Sequence, residues 1–164
     1  MTVKSQSDAQ VRAELVDEVI DRMPDWVTAL TRLNDAVADR MGVGATDLHC
    51  LHALNRRGPS TAGELSEQLG RITGAITHMI NRLEAVGYVR RISDPTDRRR
   101  VVVEASEAGL AKAAAGYIGL DARSRETLGD FTTEQLRAIT QFVRGGINDA
   151  AAEIQQISTS IPAG

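Results

Sequence analysis

The hydrophobic period of this chain changes at Gly87. Before this residue, apolar side chains recur every three or four positions, which is the spacing of one face of an α-helix. After it, residues 88–93 and 99–105 form two short runs rich in β-branched residues, separated by Asp-Pro-Thr-Asp-Arg at 94–98. Such a polar, proline-containing segment between two strand-like runs indicates a hairpin. The chain is therefore expected to be mainly α-helical, with one two-stranded sheet.

Two helices are predicted in the first third of the chain. Residues 9–22 have one apolar face, and Pro24 is expected to interrupt or restart the helix because proline lacks a backbone N–H. The apolar spacing then resumes from Trp26 to Met41. A second helix is predicted over residues 47–57, with Thr46 as its N-cap.

A short helix and a longer helix follow, joined by a tight break at residues 70–72. Thr61 and Glu64 have the spacing of a capping box at the start of the short helix. The longer helix is expected to begin at Thr73 and to end before Gly87, a residue suited to the left-handed conformation at a helix end. Together they have the pattern of a helix-turn-helix. The buried face of the longer helix is expected to contain Ile72, Ile76, Met79, Ile80, Leu83 and Val86.

Two further helices are predicted after the hairpin, over about residues 107–129 and from Thr132 or Thr133 to about residue 157. The last one has a long apolar stripe, and so does the segment 26–41. One small lobe cannot bury both stripes, and two-fold pairing of identical chains is the commonest way to cover them. The residues expected to hold this dimer together are Leu15, Val19, Leu136, Ile139, Val143 and Ile147.

The charge of the chain is unevenly distributed. Its formal net charge is −3, from 19 basic and 22 acidic residues. Residues 71–100 contain seven arginines and three acidic residues, which gives 7 − 3 = +4 and leaves −3 − 4 = −7 for the rest. A local arginine cluster on an acidic protein indicates a phosphate-binding face, because the guanidinium fork suits phosphates and base edges. An ordinary solvated surface is the alternative interpretation.

The order of elements and the arginine cluster favour DNA as the partner. In a helix-turn-helix, the second helix lies in the major groove and reads bases from its N-terminal part. A charged hairpin behind it can act as a wing that places an arginine in the narrow minor groove. The candidate DNA-binding residues are Thr73, Gly74, Ala75, Thr77, His78, Asn81 and Arg82 on the helix, and Asp97, Arg98, Arg99 and Arg100 in the wing.

Five short stretches resemble the MarR family of bacterial regulators. They are Thr-Gly-Ala-Ile-Thr at 73–77, Asn-Arg-Leu-Glu at 81–84, Gly-Tyr-Val at 87–89, Asp-Pro-Thr-Asp-Arg-Arg at 94–99 and Ser-Glu-Ala-Gly at 106–109. The most specific is the Asp-Pro-x-Asp-Arg-Arg turn, which follows Arg-Leu-Glu-x-x-Gly at a fixed distance. Close resemblance covers about residues 46–109. Ala105-Ser106 stands where Leu-Thr is usual, and the segment before Pro24 is longer than the family minimum.

The resemblance implies a homodimeric, sequence-specific transcriptional regulator. It would be a repressor that binds a pseudo-palindromic operator in double-stranded DNA and is released by a small-molecule effector. The implied organisation is N-terminal dimerisation helices in residues 9–45, a winged helix-turn-helix lobe in residues 46–105 and C-terminal dimerisation helices in residues 106–158.

The resemblance also implies roles within the wing. Asp97 would pair with an arginine, first of all Arg99, and Arg98 would contact the minor groove, with Arg100 as the second candidate. The resemblance further implies an effector pocket. Its candidate residues are Trp26, which is first of all expected in the core or the dimer, and Leu30, His49 and His52.

Other classes of function fit parts of the sequence. His49 and His52 lie three residues apart and could form a metal pair, but two ligands alone make a weak site. The chain has no Gly-rich phosphate loop and no Gly-x-Ser-x-Gly motif, so an enzyme, a cofactor and a metal are not expected. A protein-interaction module built on the same helices is the second alternative. The arginine-rich hairpin counts against it, and a steep salt dependence of binding would separate the two.

Cys50 is the single cysteine and is expected to be a small core residue. A redox-sensing role is the alternative. In peroxide-sensing members of the family the reactive cysteine lies in the first helix, whereas Cys50 lies in the predicted second helix.

The chain opens without a signal sequence and has no apolar run of the roughly 20 residues that span a membrane. A cytoplasmic location without a membrane partner is therefore expected.

Overall fold

The computed structural model describes residues 2–94, 97 and 99–160, with side chains between residues 7 and 159. Within this part of the chain there are seven helices and one antiparallel pair of strands, which confirms the predicted fold class. Helices α1 to α5 and the strands form one compact unit, and α6 and α7 form another. The elements are α1 (Thr2–Met41), α2 (Ala45–Arg57), α3 (Ala62–Leu69), α4 (Thr73–Ala85), β1 (Val89–Ser93), β2 (Val101–Ala105), α5 (Glu107–Ala115), α6 (Ile118–Gly129) and α7 (Thr133–Ser160).

Helix α1 runs through Pro24 without a break, so the interruption predicted there is wrong. A proline inside a helix removes one backbone hydrogen bond and crowds the preceding turn, and this helix tolerates both. One turn further on, the hydroxyl of Thr28 donates to the Pro24 carbonyl at 2.8 Å. Among the described side chains of α1, only Val37, Ala38 and Met41 are buried, so its C-terminal end alone contributes to the core.

Helices α2 and α3 begin with different caps. Gly44 is the N-cap of α2, and its backbone N–H donates to the carboxylate of Asp47 at 3.1 Å. The cap predicted at Thr46 is wrong, because Thr46 already lies inside the helix. At α3 the predicted capping box is confirmed: the Glu64 N–H donates to the Thr61 hydroxyl at 3.2 Å, and the Thr61 N–H donates to the Glu64 carboxylate at 2.7 Å.

The helix-turn-helix is formed by α3 and α4 around an aliphatic core. Ile72 and Val86, which were predicted on the buried face of α4, are 79% and 49% exposed. They stand at the N-cap and C-cap positions, where the helical period no longer fixes the direction of a side chain. Gly87 has the predicted left-handed conformation, with φ +75°. The fully buried aliphatic side chains are Leu48, Leu51, Leu65, Ile76, Ile80 and Leu83.

The hairpin packs against the helices, and two adjacent side chains of β2, which point to opposite faces of the sheet, are both buried. Its register pairs Val89 with Ala105 and Ser93 with Val101. Val103 also exchanges two backbone hydrogen bonds with Ser60, at 2.9 and 2.8 Å, which attaches the hairpin to the segment between α2 and α3. Val89, Val102 and Val103 are buried, so the hairpin contributes to the core of the lobe.

The segment predicted as one helix over residues 107–129 is divided into α5 and α6. Gly116 is the C-cap of α5 and lies close to Val37 of α1, so closely that a Cβ atom at Gly116 would be 2.6 Å from Val37 Cγ2. This packing ends α5 at a point that the apolar period alone does not mark. Helix α7 begins as predicted after Thr132, whose hydroxyl accepts the Gln135 N–H at 3.3 Å.

Candidate nucleic-acid interface

The outer face of α4 carries the side chains predicted to contact DNA, and all of them are exposed. Small residues dominate its first turn, which contains no acidic side chain. Thr77 donates its hydroxyl to the Thr73 carbonyl at 3.0 Å, which leaves the oxygen lone pairs as acceptors. The exposed residues of this face are Thr73, Gly74, Ala75, Thr77, His78, Asn81 and Arg82.

Arg82 is held by a carboxylate that sequence reasoning missed. Its Nη2 lies 2.6 Å from Asp47 Oδ1, and its Nε lies 3.4 Å from Asp47 Oδ2. Asp47 is only 2% exposed and also accepts the Gly44 N–H. The pair raises the pKa of the Arg82 guanidinium and joins α4 to the start of α2. Arg82 was predicted among the DNA-binding residues of α4; the structure gives it this structural partner, and its contact with DNA stays a prediction.

Arg91 of β1 connects the wing to α4. Its Nη2 donates to the side-chain oxygen of Asn81 at 2.6 Å, and its Nη1 pairs with the carboxylate of Glu84. Its backbone N–H also donates to Glu84, at 3.3 Å. Because the Asn81 oxygen is engaged in this way, its NH₂ group is the part available to DNA. The orientation of a predicted base contact is therefore set by a wing residue.

Two more arginines form ion pairs around the wing. Arg90 pairs with Glu104, its cross-strand neighbour. Arg100, the second candidate for the minor groove, lies 3.2 Å from Glu64 of α3 and 3.7 Å from Asp94. The wing is thus attached to the start of α3 as well as to α4.

The tip of the wing is organised by backbone contacts. The carboxylate of Asp97 accepts the backbone N–H of Arg99 at 3.0 Å, whereas a side-chain pair between these two residues was predicted. The Asp97 N–H in turn donates to Asp94 at 3.3 Å. Arg98, the first candidate for the minor groove, lies outside the described residues, and its role stays a prediction.

Tyr88 is a second structural residue without a predicted role. Its buried hydroxyl donates to the Met41 carbonyl at 3.1 Å and accepts from Lys112 Nζ at 2.7 Å. It therefore ties the root of the wing to α1 and α5. The only sequence signal was its place beside Gly87, within a motif that suggested the family rather than a contact.

Comparison with known proteins identifies the family of this chain. The HTH-type transcriptional regulator YcgE of Bacillus subtilis, itself uncharacterized, is 32% identical to this chain over 146 residues, which cover 89% of the chain and 95% of the relative. Residues 44–101 match the model of the MarR family. The chain belongs to the MarR family. It is therefore a DNA-binding transcriptional regulator and not an enzyme.

Another HTH-type regulator and two solved MarR structures share parts of the chain or its fold. The HTH-type transcriptional repressor NicR of Pseudomonas putida is 39% identical over 61 residues, 37% of this chain and 39% of NicR. A MarR family structure from Bacillus stearothermophilus has a TM-score of 0.63 at 17% identity, over 84% of this chain and 97% of that one. MarR of E. coli in its apo form has a TM-score of 0.53 at 23% identity, over 76% and 94%. These structures share the fold.

The residues predicted for an effector pocket differ in exposure in this MarR-family chain. Trp26 is 56% exposed and His49 is exposed, whereas Leu30 and His52 are half-buried. Burial lowers the pKa of His52, and the neighbouring His49 lowers it further. Within the described part of the chain, no group of three or more His, Cys, Asp or Glu side chains could hold a metal ion.

Cys50 is buried in α2, as predicted for a core residue. Burial, with a smaller contribution from the charge of Asp47, raises the pKa of its thiol to about 12. A thiol with this pKa is protonated and unreactive at neutral pH.

Among the helices described here, none is both long enough and apolar enough to cross a membrane.

Proposed function

We propose that this MarR-family regulator is a repressor that binds a pseudo-palindromic operator as a homodimer and leaves it when a small-molecule effector binds. The observation that carries the proposal is the exposed, carboxylate-free face of the first turns of α4 beside an arginine-rich wing. Repression is supported by the likeness to NicR, which is named a repressor. The effector would lodge near Trp26, Leu30, His49 and His52.

Base choice is assigned to three side chains of α4. Thr77 offers hydroxyl lone pairs, His78 offers an exposed ring, and Asn81 offers an NH₂ group whose direction is set by Arg91. An amide that presents mainly donors favours acceptors on the base edge, such as guanine O6 and N7 or thymine O4. Each good base contact is worth roughly 1–3 kcal/mol of discrimination.

The wing supplies the minor-groove contact through Arg98 or Arg99. Arg98 keeps this role as a prediction. Arg99 becomes its rival, because Asp97 holds the backbone of Arg99 while its guanidinium has no carboxylate partner among the described residues. An unpaired arginine at the wing tip favours a narrow, A·T-rich groove, where the negative potential is enhanced.

The dimer is proposed from apolar side chains that the described chain leaves exposed. Leu15 and Val19 of α1 are 56% and 46% exposed, and Ile147 of α7 is 63% exposed. The same helices contain Leu136, Ile139 and Val143. We therefore assign dimerisation to residues 9–45 and 106–158, and DNA binding to residues 46–105.

Selection of duplexes from a random library with the purified full chain tests the proposal. We expect a pseudo-palindrome with half-sites about one helical turn apart, since a two-fold dimer presents two α4 helices. Either Arg98→Ala or Arg99→Ala should weaken binding to the selected duplex, whereas Arg125→Ala, which removes one charge from α6, should not. Failure to enrich any sequence, or enrichment of single half-sites only, would contradict the proposal.

A further inference from the structure

The seven arginines of residues 71–100 differ in whether they form ion pairs. Four of them form ion pairs with carboxylates of the lobe, and three of those carboxylates, on Asp47, Glu64 and Glu104, lie outside the segment. The +4 charge of the segment is thus largely neutralised within the lobe. Among the described arginines of the segment, only Arg71 and Arg99 have no carboxylate partner. The paired arginines are Arg82, Arg90, Arg91 and Arg100.

Arg71 is also held in place by its backbone. It follows Gly70, which has the left-handed conformation with φ +59° and ends α3. The Arg71 N–H donates to the Ser66 carbonyl at 3.1 Å, and the Ser66 hydroxyl donates to the Arg71 carbonyl. Both backbone groups of Arg71 are therefore fixed by one residue of α3, while its side chain is exposed two positions before α4 begins.

We infer that Arg71 binds a DNA phosphate beside the groove that α4 occupies. A guanidinium without a carboxylate partner keeps its full charge for a phosphate, to which it can donate two parallel hydrogen bonds. Fixing the backbone of the turn reduces the conformational freedom that is lost when the contact forms. The inference rests on the proposed DNA-binding function and assigns it a residue outside both α4 and the wing.

The test compares the salt dependence of DNA binding among charge variants of the full chain. The probe is a mixed-sequence duplex of about 30 base pairs, because phosphate contacts do not need the operator sequence. Affinity falls as the salt concentration rises, so the slope of log affinity against log salt concentration is negative. We expect Arg71→Ala to make this slope less steep by about one unit. Arg71→Lys should keep the slope close to that of the wild type, because it keeps the charge.

The control is Arg90→Ala, which removes one positive charge from the same segment but from an existing ion pair. Its slope should equal that of the wild type. If Arg71→Ala has the wild-type slope, or if Arg90→Ala makes the slope less steep by as much, the inference is wrong while DNA binding stands. If the wild type shows no salt-dependent binding to the duplex, the proposed function itself fails.

Discussion

At the scale of single residues, the lobe depends on a carboxylate that it buries almost completely. Asp47 accepts the backbone N–H of Gly44, the N-cap of α2, and neutralises Arg82, whose side chain is 60% exposed. A buried charge is tolerated only where its hydrogen-bond donors are in place. Removing one partner of a buried ion pair destabilises a protein more than replacing both partners with apolar residues. Asp47 therefore makes Arg82 a structural residue, although Arg82 lies on the face of α4 that is proposed to bind DNA.

Arg82→Ala is expected to lower the free energy of unfolding by roughly 2 kcal/mol or more, because it leaves the Asp47 carboxylate buried without a counter-charge. Urea unfolding followed by circular dichroism measures this change. The matched control is Arg125→Ala, which breaks an exposed pair with Asp121 inside α6 and should leave the midpoint unchanged. Equal midpoints for the two variants would show that the Asp47 pair contributes nothing to stability.

The thiol of Cys50 predicts a dependence of stability on pH. Its pKa is about 12 in the folded chain against 9.0 for a free thiol, so above pH 9 the unfolded chain loses a proton that the folded chain keeps. The stabilisation from the neutral thiol is complete below pH 9 and is lost as the pH rises towards 12. The unfolding free energies of the wild type and of Cys50→Ala should therefore converge over this range. A constant difference between them would contradict the assignment.

At the scale of elements, α5 meets the root of the wing at a glycine. A Cβ atom at Gly109 would lie 2.6 Å from the Tyr88 carbonyl oxygen and 2.9 Å from Tyr88 Cα. Helix α5 can approach Tyr88 this closely only because Gly109 has no side chain. The contact matters because Tyr88 also joins α1 to the wing.

Gly109→Ala is expected to destabilise the chain by about 1–3 kcal/mol, since either α5 or the backbone of Tyr88 has to move. The control is Gly74→Ala in α4, where a Cβ atom would meet nothing within 4 Å. That variant should be neutral or stabilised by up to about 1 kcal/mol through helix propensity. Thermal unfolding distinguishes the two, and the same melting temperature for both would rule out the close packing at Gly109.

At the scale of the whole molecule, the described chain exposes more large apolar side chains than an isolated regulator of this size would keep in water. They lie along α1 and α7 and include Val11, Leu15, Val16, Val19, Ile20, Trp26, Val27, Phe142, Val143, Ile147, Ile154 and Ile157. A second copy of the chain is the proposed partner, because two-fold pairing is the commonest way to close such surfaces.

Light scattering should therefore give a mass of twice 17.7 kDa for the wild type at micromolar concentration. Ile147→Glu should shift the mass towards that of a single chain, because it places a charge in the proposed interface. Ile72→Glu is the matched control, since Ile72 is even more exposed, at 79%, but lies in the turn before α4. A monomeric wild type, or a dimeric Ile147→Glu variant, would contradict the proposed interface.

The features that depend on residues close together in the chain were predictable from the sequence. The capping box of Thr61 and Glu64, the left-handed Gly87 and the change from helical to strand spacing behind it were all predictable, because each is settled within a few residues. The motifs around these features also identified the family. The fold class followed from the order of the elements.

Contacts between distant parts of the chain settle which charges are available, whether α1 continues through Pro24 and where α5 ends. Asp47 and Arg82 are 35 residues apart, and Glu64 and Arg100 are 36 apart, so no local pattern shows that these arginines are paired. The continuity of α1 through Pro24 and the end of α5 against Val37 also escaped the period of apolar residues. The physical reason is the same throughout: charge pairing and close packing depend on distances in space, which folding sets and sequence spacing does not.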